Sequence, residues 1–240
     1  GAGKRIAVID TGIDTDHQSF DNGAFDYALQ QEANGNENYI KSLDLLDQSK
    51  VTAVLSQLNI AQNGVSADDL YYGSKLPFAY NYVDKNTDVT HDNDTQSEHG
   101  SHVAGIAAAN KYVPQTDGDE TTYVSALDTV KTQGVAPEAQ LLVMKVFGTN
   151  GGAYDSDYMA AIEDAIVLGA DSINLSLGSS YPGPSKYTSY MDADTDPVPV
   201  YQAILDSLAS KDAVVSISAG NSGNWAENAY AVSNSYDARS

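Results

Sequence analysis

Apolar residues along this chain come in short unbroken runs that alternate with stretches of helical period. In "KRIAVIDTG" (4–12) four consecutive apolar residues, Ile6 to Ile9, precede Asp-Thr-Gly. That reads as a strand buried on both faces which stops at a turn. "AQLLVMKVF" (139–147) repeats the pattern, whereas "SDYMAAIEDAIVLGA" (156–170) puts Met159, Ile162 and Ile166 on one helical face and closes at Gly169. A strand in "DSINLSLG" (171–178), a helix in "VYQAILDSLASKD" (200–212) and a strand in "AVVSISAGN" (213–221) continue the alternation. Buried strands alternating with amphipathic helices predict an α/β fold: a doubly wound, mostly parallel sheet with helices on both faces. Ligands of such sheets bind beyond the carboxyl ends of the strands.

Two segments break the rhythm and are expected to be insertions. Residues 21–90 contain "YIKSLDLLDQSKVTAVLSQLN", which suggests a pair of helical turns, and the tyrosine-rich "LYYGSKLPFAYNYVDKNTD". This part is expected to lie over one end of the sheet. Residues 179–199 hold four of the chain's 7 prolines without a clear period and predict a long surface loop.

The 240 residues suffice for one sizeable core, and nothing in them forces a second domain. Lys and Arg number 12 against 33 Asp and Glu, a formal charge of −21. Such a chain lacks the clustered cations that bind phosphates, so a nucleic-acid partner is excluded. There is no cysteine, which removes disulfides and thiolate metal sites. No apolar run approaches the roughly 18 residues that would suggest a membrane span, and no signal peptide is recognisable at the front. The expectation is a soluble piece, already trimmed at its amino end.

Candidate chemistry gathers at the strand ends. Asp10 ends the first strand; taken alone, such a residue more often caps a turn through its carboxylate. His99 opens "HGSHVAGIAA" and, alone, would be a helix-terminal histidine bonded to nearby backbone. His102 shares its helical face, but the Glu of the H-E-x-x-H zinc pattern is missing and the spacing differs. Asn221 closes the last strand. Brought to one sheet edge, the three become an orienting acid, a proton-transfer base and a neutral donor for an oxyanion. A nucleophilic serine is the missing part.

"IAVIDTGID", "EHGSHVAGIAA", "GVAPEAQLLVMKVF", "INLSLGS" and "SISAGNSG" together resemble the successive motifs of the subtilisin-like serine proteases, the subtilases. The order Asp, His, Ser is that family's own. The long interval from Asp to His, with "LPFAYNYVD", is most similar to the Gram-positive cell-envelope proteinases of the lactocepin and C5a-peptidase group. The resemblance makes residues 1–240 the amino-terminal part of such a catalytic domain, incomplete at its carboxyl end. It implies Asp10 as triad acid, His99 as general base and Asn221 as oxyanion donor. Ser176, Leu177 and Gly178 match the segment that pairs with substrate backbone, and Ser218, Ala219 and Gly220 match a wall of the primary specificity pocket. His102 would serve packing or a local hydrogen bond.

The resemblance further implies a protein or peptide substrate, no cofactor for the chemistry, and a secreted or cell-envelope location in a Gram-positive bacterium. It allows structural calcium, although Ser19 stands about where one of the family's calcium-binding Asp residues would fall. The acidic run "DKNTDVTHDNDTQSE" (84–98) is read as a solvated loop, since its spacing does not match an EF-hand. The family's Gly-Thr-Ser-Met-Ala serine motif does not occur in these residues. The expected partner is therefore the remainder of the catalytic domain, and the chain alone is expected to be inactive. Two rivals are a catalytically inactive, subtilase-like binding module and a metal-dependent hydrolase built on His17, His91, His99 and His102.

Overall fold

The structure is a computed structural model that describes residues 1–177, 206–211 and 213–218. Seven strands occur among them: β1 (Arg5–Asp10), β2 (Phe78–Asn81), β3 (Tyr112–Asp117), β4 (Glu120–Ser125), β5 (Gln140–Lys145), β6 (Ser172–Leu175) and β7 (Val214–Ile217). The α-helices are α1 (Asn22–Ala33), α2 (Glu37–Ser42), α3 (Gln48–Val54), α4 (Ala67–Leu70), α5 (His99–Ala108), α6 (Ala126–Thr129) and α7 (Asp155–Val167).

Five strands form a parallel sheet in the order β2-β5-β1-β6-β7, with β1 at its centre. The strands expected in the apolar runs 4–12, 139–147, 171–178 and 213–221 are present as β1, β5, β6 and β7, and the helix expected over 156–170 is α7. Because side chains alternate across a strand, β1 feeds both faces. Ala7 and Ile9 join one apolar cluster with Leu142, Met144 and α7, while Val8 joins a second with Leu141, Val143 and α5. Helices thus cover both faces, as a doubly wound sheet requires. The buried stripe of α7 centres on Ala161, Ile162, Ala165 and Leu168, and Met159 and Ile166 pack at its margins. Gly169 stops the helix with φ +74°, a left-handed conformation that favours glycine.

The region 21–90 departs from expectation. Phe78–Asn81 is no overlay but the edge strand β2, paired in register with Leu142–Lys145 of β5. All four of its residues are buried. Residues 46–70 lie against the α7 face, where Leu46, Val51, Leu58, Ile60, Ala67 and Leu70 enter the core cluster. They cover a face of the sheet and not an end. A second feature was not anticipated: β3 and β4 form an antiparallel hairpin in which Asp117 pairs with Glu120 and Gly118 turns at φ +62°. Residues 179–199, expected as a surface loop, lie outside the described residues, as does most of the expected helix over 200–212.

Candidate active site

Asp10 is the last residue of the central strand, at the carboxyl edge where β5 and β6 flank it. Its side chain points to the α5 side, as Val8 does two residues before. The carboxylate is 1% exposed. Its Oδ1 accepts hydrogen bonds from the Thr11 N–H and from His99 Nδ1, each at 2.7 Å. Carboxylates only accept, so the imidazole must donate from Nδ1, which leaves Nε2 as the ring's unprotonated nitrogen when the ring is neutral. No partner for Nε2 occurs among the described residues, and the His99 side chain is 47% exposed. A ring held by its Nδ1 in a buried carboxylate, with Nε2 free to take a proton, is the geometry of an oriented general base.

His99 reaches Asp10 because α5 starts tightly against the turn after β1. Thr11 Oγ1 donates to Ser97 O at 3.0 Å and accepts from the Gly100 N–H at 2.9 Å. A Cβ on Gly100 would stand 2.0 Å from Gly12 O, so the approach needs glycine. Gly12 itself has φ +108°, and a Cβ there would meet Val89 O at 2.1 Å.

The acidic run before His99 is more ordered than a solvated loop, which corrects the sequence reading of 84–98. Asp94 is 3% exposed and pairs with Lys145, itself 1% exposed, at 2.6 Å. Lys145 Nζ also donates to Thr11 O at 2.5 Å. Asp84 Oδ2 accepts from Asn81 Nδ2 and from the backbone and hydroxyl of Thr149. Burial works to raise the Asp84 pKa, but these hydrogen bonds and the Lys145 charge outweigh it and hold it below the ordinary value. Asn81, Lys145 and Asp10 stand opposite one another at the ends of three adjacent strands. Sequence reading missed Asn81, Asp94 and Lys145; the available signal was a lysine inside the apolar run "LLVMKVF".

Ser176 and Leu177 follow β6, and Ser218 follows β7, on the same edge of the sheet as Asp10. Ser218 Oγ donates to Leu177 O at 2.9 Å, and Asn174 Nδ2 donates to Ser176 Oγ at 2.9 Å. Gly178, Ala219, Gly220 and Asn221 lie outside the described residues. His102 does not pack: it is exposed and lines a groove of about 600 Å³ with His17, Asp14 and Phe20. His91 contacts Glu98, and His17 Nδ1 accepts from the Ser19 N–H. Among the described residues no group of three or more His, Asp or Glu is arranged to hold a metal ion. Ser19 is buried and its carbonyl accepts the Asn110 N–H at 2.8 Å. No helix among the described residues is long and apolar enough to cross a membrane.

Comparison with known proteins bears on the whole chain. The family profile Peptidase_S8, described as the subtilase family, matches residues 1–239. The PII-type proteinase of Lacticaseibacillus paracasei is 35% identical over 226 residues, 93% of this chain and 9% of that protein. The PI-type proteinase of Lactococcus lactis subsp. cremoris is likewise 35% identical over 226 residues, again 9% of its length. The C5a peptidase of Streptococcus pyogenes is 31% identical over 182 residues, 75% of this chain and 12% of its own. The chain therefore spans about a tenth of the length of these relatives. Among solved structures, the S41 psychrophilic protease aligns at TM-score 0.47 and 23% identity, over 93% of this chain and 48% of that one.

Proposed function

Because the chain belongs to the subtilase family, we propose that the protein acts as a serine endopeptidase in which Asp10 and His99 form two members of an Asp-His-Ser triad. The observation that carries this reading is the 2.7 Å hydrogen bond between His99 Nδ1 and the buried Asp10 carboxylate at the end of the central strand. In this reading His99 Nε2 takes the proton of a serine hydroxyl as that oxygen attacks the peptide carbonyl. It then returns the proton to the leaving amine. Asp10 keeps the ring in the Nδ1–H tautomer and stabilises the imidazolium. Asn221 donates its amide N–H to the developing oxyanion. Ser176, Leu177 and Gly178 pair with an extended substrate backbone, and Ser218, Ala219 and Gly220 form a wall of the primary pocket.

The nucleophilic serine comes from residues outside these 240, in keeping with the lack of a Gly-Thr-Ser-Met-Ala motif in them. The partner in this reading is the remainder of the catalytic domain, and the chemistry draws on no cofactor. The protein works outside the cell or on the envelope of a Gram-positive bacterium, as the Lacticaseibacillus and Streptococcus relatives suggest.

The test is the full open reading frame expressed with single substitutions. His99→Ala is expected to lower kcat by at least about 10³-fold, the scale on which triad members act. His102→Ala, at an exposed position, should leave kcat within a small factor of the parent. The reverse ranking would refute the assignment. On residues 1–240 alone, a fluorophosphonate probe should label no serine; stoichiometric labelling would put the nucleophile inside them.

A further inference from the structure

We propose that Lys145 is a positioning residue for the Asp10–His99 pair, acting through Asp94 and the Thr11 carbonyl; this rests on reading that pair as the catalytic acid and base.

Lys145 ends β5 directly opposite Asp10 of β1, and its side chain runs on the α5 face of the sheet with those of Leu141 and Val143. The ammonium is enclosed and donates to two acceptors, Asp94 Oδ2 at 2.6 Å and Thr11 O at 2.5 Å. These acceptors stand on the two chain segments that meet in the pair. Thr11 follows Asp10 directly, gives its N–H to the Asp10 carboxylate, and grips both Ser97 O and the Gly100 N–H through its hydroxyl. Asp94 lies five residues before His99, and its Oδ1 accepts the Gln96 N–H at 2.7 Å. The same loop docks onto the segment after β5, since Gln96 Nε2 donates to Gly148 O and Thr95 N–H to Thr149 O. One ammonium therefore ties the carboxylate's turn and the histidine's loop to a common strand end.

Stability alone does not account for such a group. Enclosed ion pairs lose in desolvation most of what they gain by attraction, and apolar replacements of similar volume are often neutral or better. What an apolar replacement cannot supply is a fixed position for two separate acceptors. An oriented general base depends on that fixity, because small displacements of its partners lower the rate steeply.

The experiment separates position from stability. In the protein labelled with ¹⁵N in its histidine rings, NMR follows the exchange of the His99 Nδ1 proton with water, beside Tm. In the double variant Lys145→Met with Asp94→Leu, which removes both charges, Tm should stay near the parent's while ring-proton exchange accelerates by at least about tenfold through easier local opening. Asp94→Asn, which keeps the shape but weakens the contact, should fall between. Parent-like exchange in both variants overturns the proposal. Loss of folding in the double variant also overturns it, by assigning the pair to stability. Asp10→Ala, which removes the acceptor, serves as the control for the underlying reading and should abolish the Nδ1 proton signal. A signal unchanged in Asp10→Ala would reject the acid-base pair itself, whatever Lys145 does.

Discussion

Lys75 is fully buried, with its ammonium 5.1 Å from the centroid of the Phe25 ring and bonded to Pro137 O at 2.9 Å and Ala139 O at 2.7 Å. It ties the approach to β2 to the approach to β5. Burial lowers its pKa from 10.5 to about 7, against a smaller opposing influence of Glu138. Between these values the unfolded chain holds the proton more firmly than the folded one, so this group makes stability rise with pH. Its contribution is complete above 10.5 and lost as pH falls to about 7. Lys75→Met should abolish that slope. Relative to the variant, the parent should gain stability from pH 7 towards pH 10 by at most about 1.4 kcal/mol per unit. Urea titrations at pH 7, 8.5 and 10 measure it; parallel curves would show that the amine keeps its proton. Nothing in "YGSKLPF" marks this lysine as interior, because its partners are two carbonyls 62 and 64 positions away.

At the scale of elements, Asp164 shows how α7 is tied to the segment that covers it. It sits within the buried stripe of α7. Its Oδ1 accepts from the Asn59 N–H at 2.7 Å and from Asn59 Nδ2 at 3.0 Å, and its Oδ2 accepts from Tyr82 Oη at 3.0 Å. Burial raises its pKa, and the hydrogen bonds from Asn59 and Tyr82 only partly offset that. Tyr82 is in turn pushed well above 10 by burial and by the neighbouring carboxylate. Asp164→Ala would leave a backbone N–H and a phenol unpaired, and should cost about 2–4 kcal/mol. Equilibrium urea unfolding measures it; a loss below about 0.5 kcal/mol would mean that water satisfies both donors. The helical period made α7 legible, but nothing in that period marks Asp164 as buried. β2 was missed because its Tyr80 and Asn81, with Tyr82 just beyond the strand, suggest surface, yet both rings are buried and pack edge to face at 5.3 Å. The hairpin β3–β4 carries the Asp-Gly turn signal in "YVPQTDGDETTYVS", but its outer residues are exposed, and its weak alternation was easy to pass over.

For the molecule as a whole, 33 carboxylates face only 12 Lys and Arg, and among the described residues Lys75 and Lys145 are enclosed in the interior. Most surface carboxylates therefore have no cation to pair with, and their mutual repulsion opposes the compact state. Raising salt from about 0.01 M to 0.15 M shortens the screening length from about 30 Å to about 8 Å. Tm should accordingly rise by several degrees, which scanning calorimetry against an equal osmolality of sucrose would measure. A Tm that does not respond to sodium chloride would mean that the charges are too widely spread to matter.

The sequence by itself determined the parallel sheet, the helix on each face, and the strand end and helix start that carry Asp10 and His99. Those signals are local: an apolar run stops at Asp-Thr-Gly, and a helix begins at His-Gly. The conclusion that these two residues meet also followed, because a doubly wound sheet directs its strand ends to one edge. The tertiary structure alone decided what holds them there. Asp94 finds Lys145 across 51 positions, and Gly100 finds Gly12 across the whole stretch that holds α1 to α4 and β2. Neither pairing has a period, a spacing or a propensity to announce it, since each depends on where a long connection returns. The physical reason is that strand and helix arise from interactions between near neighbours, whereas the fit of a loop against a strand end is settled only when distant segments are packed together.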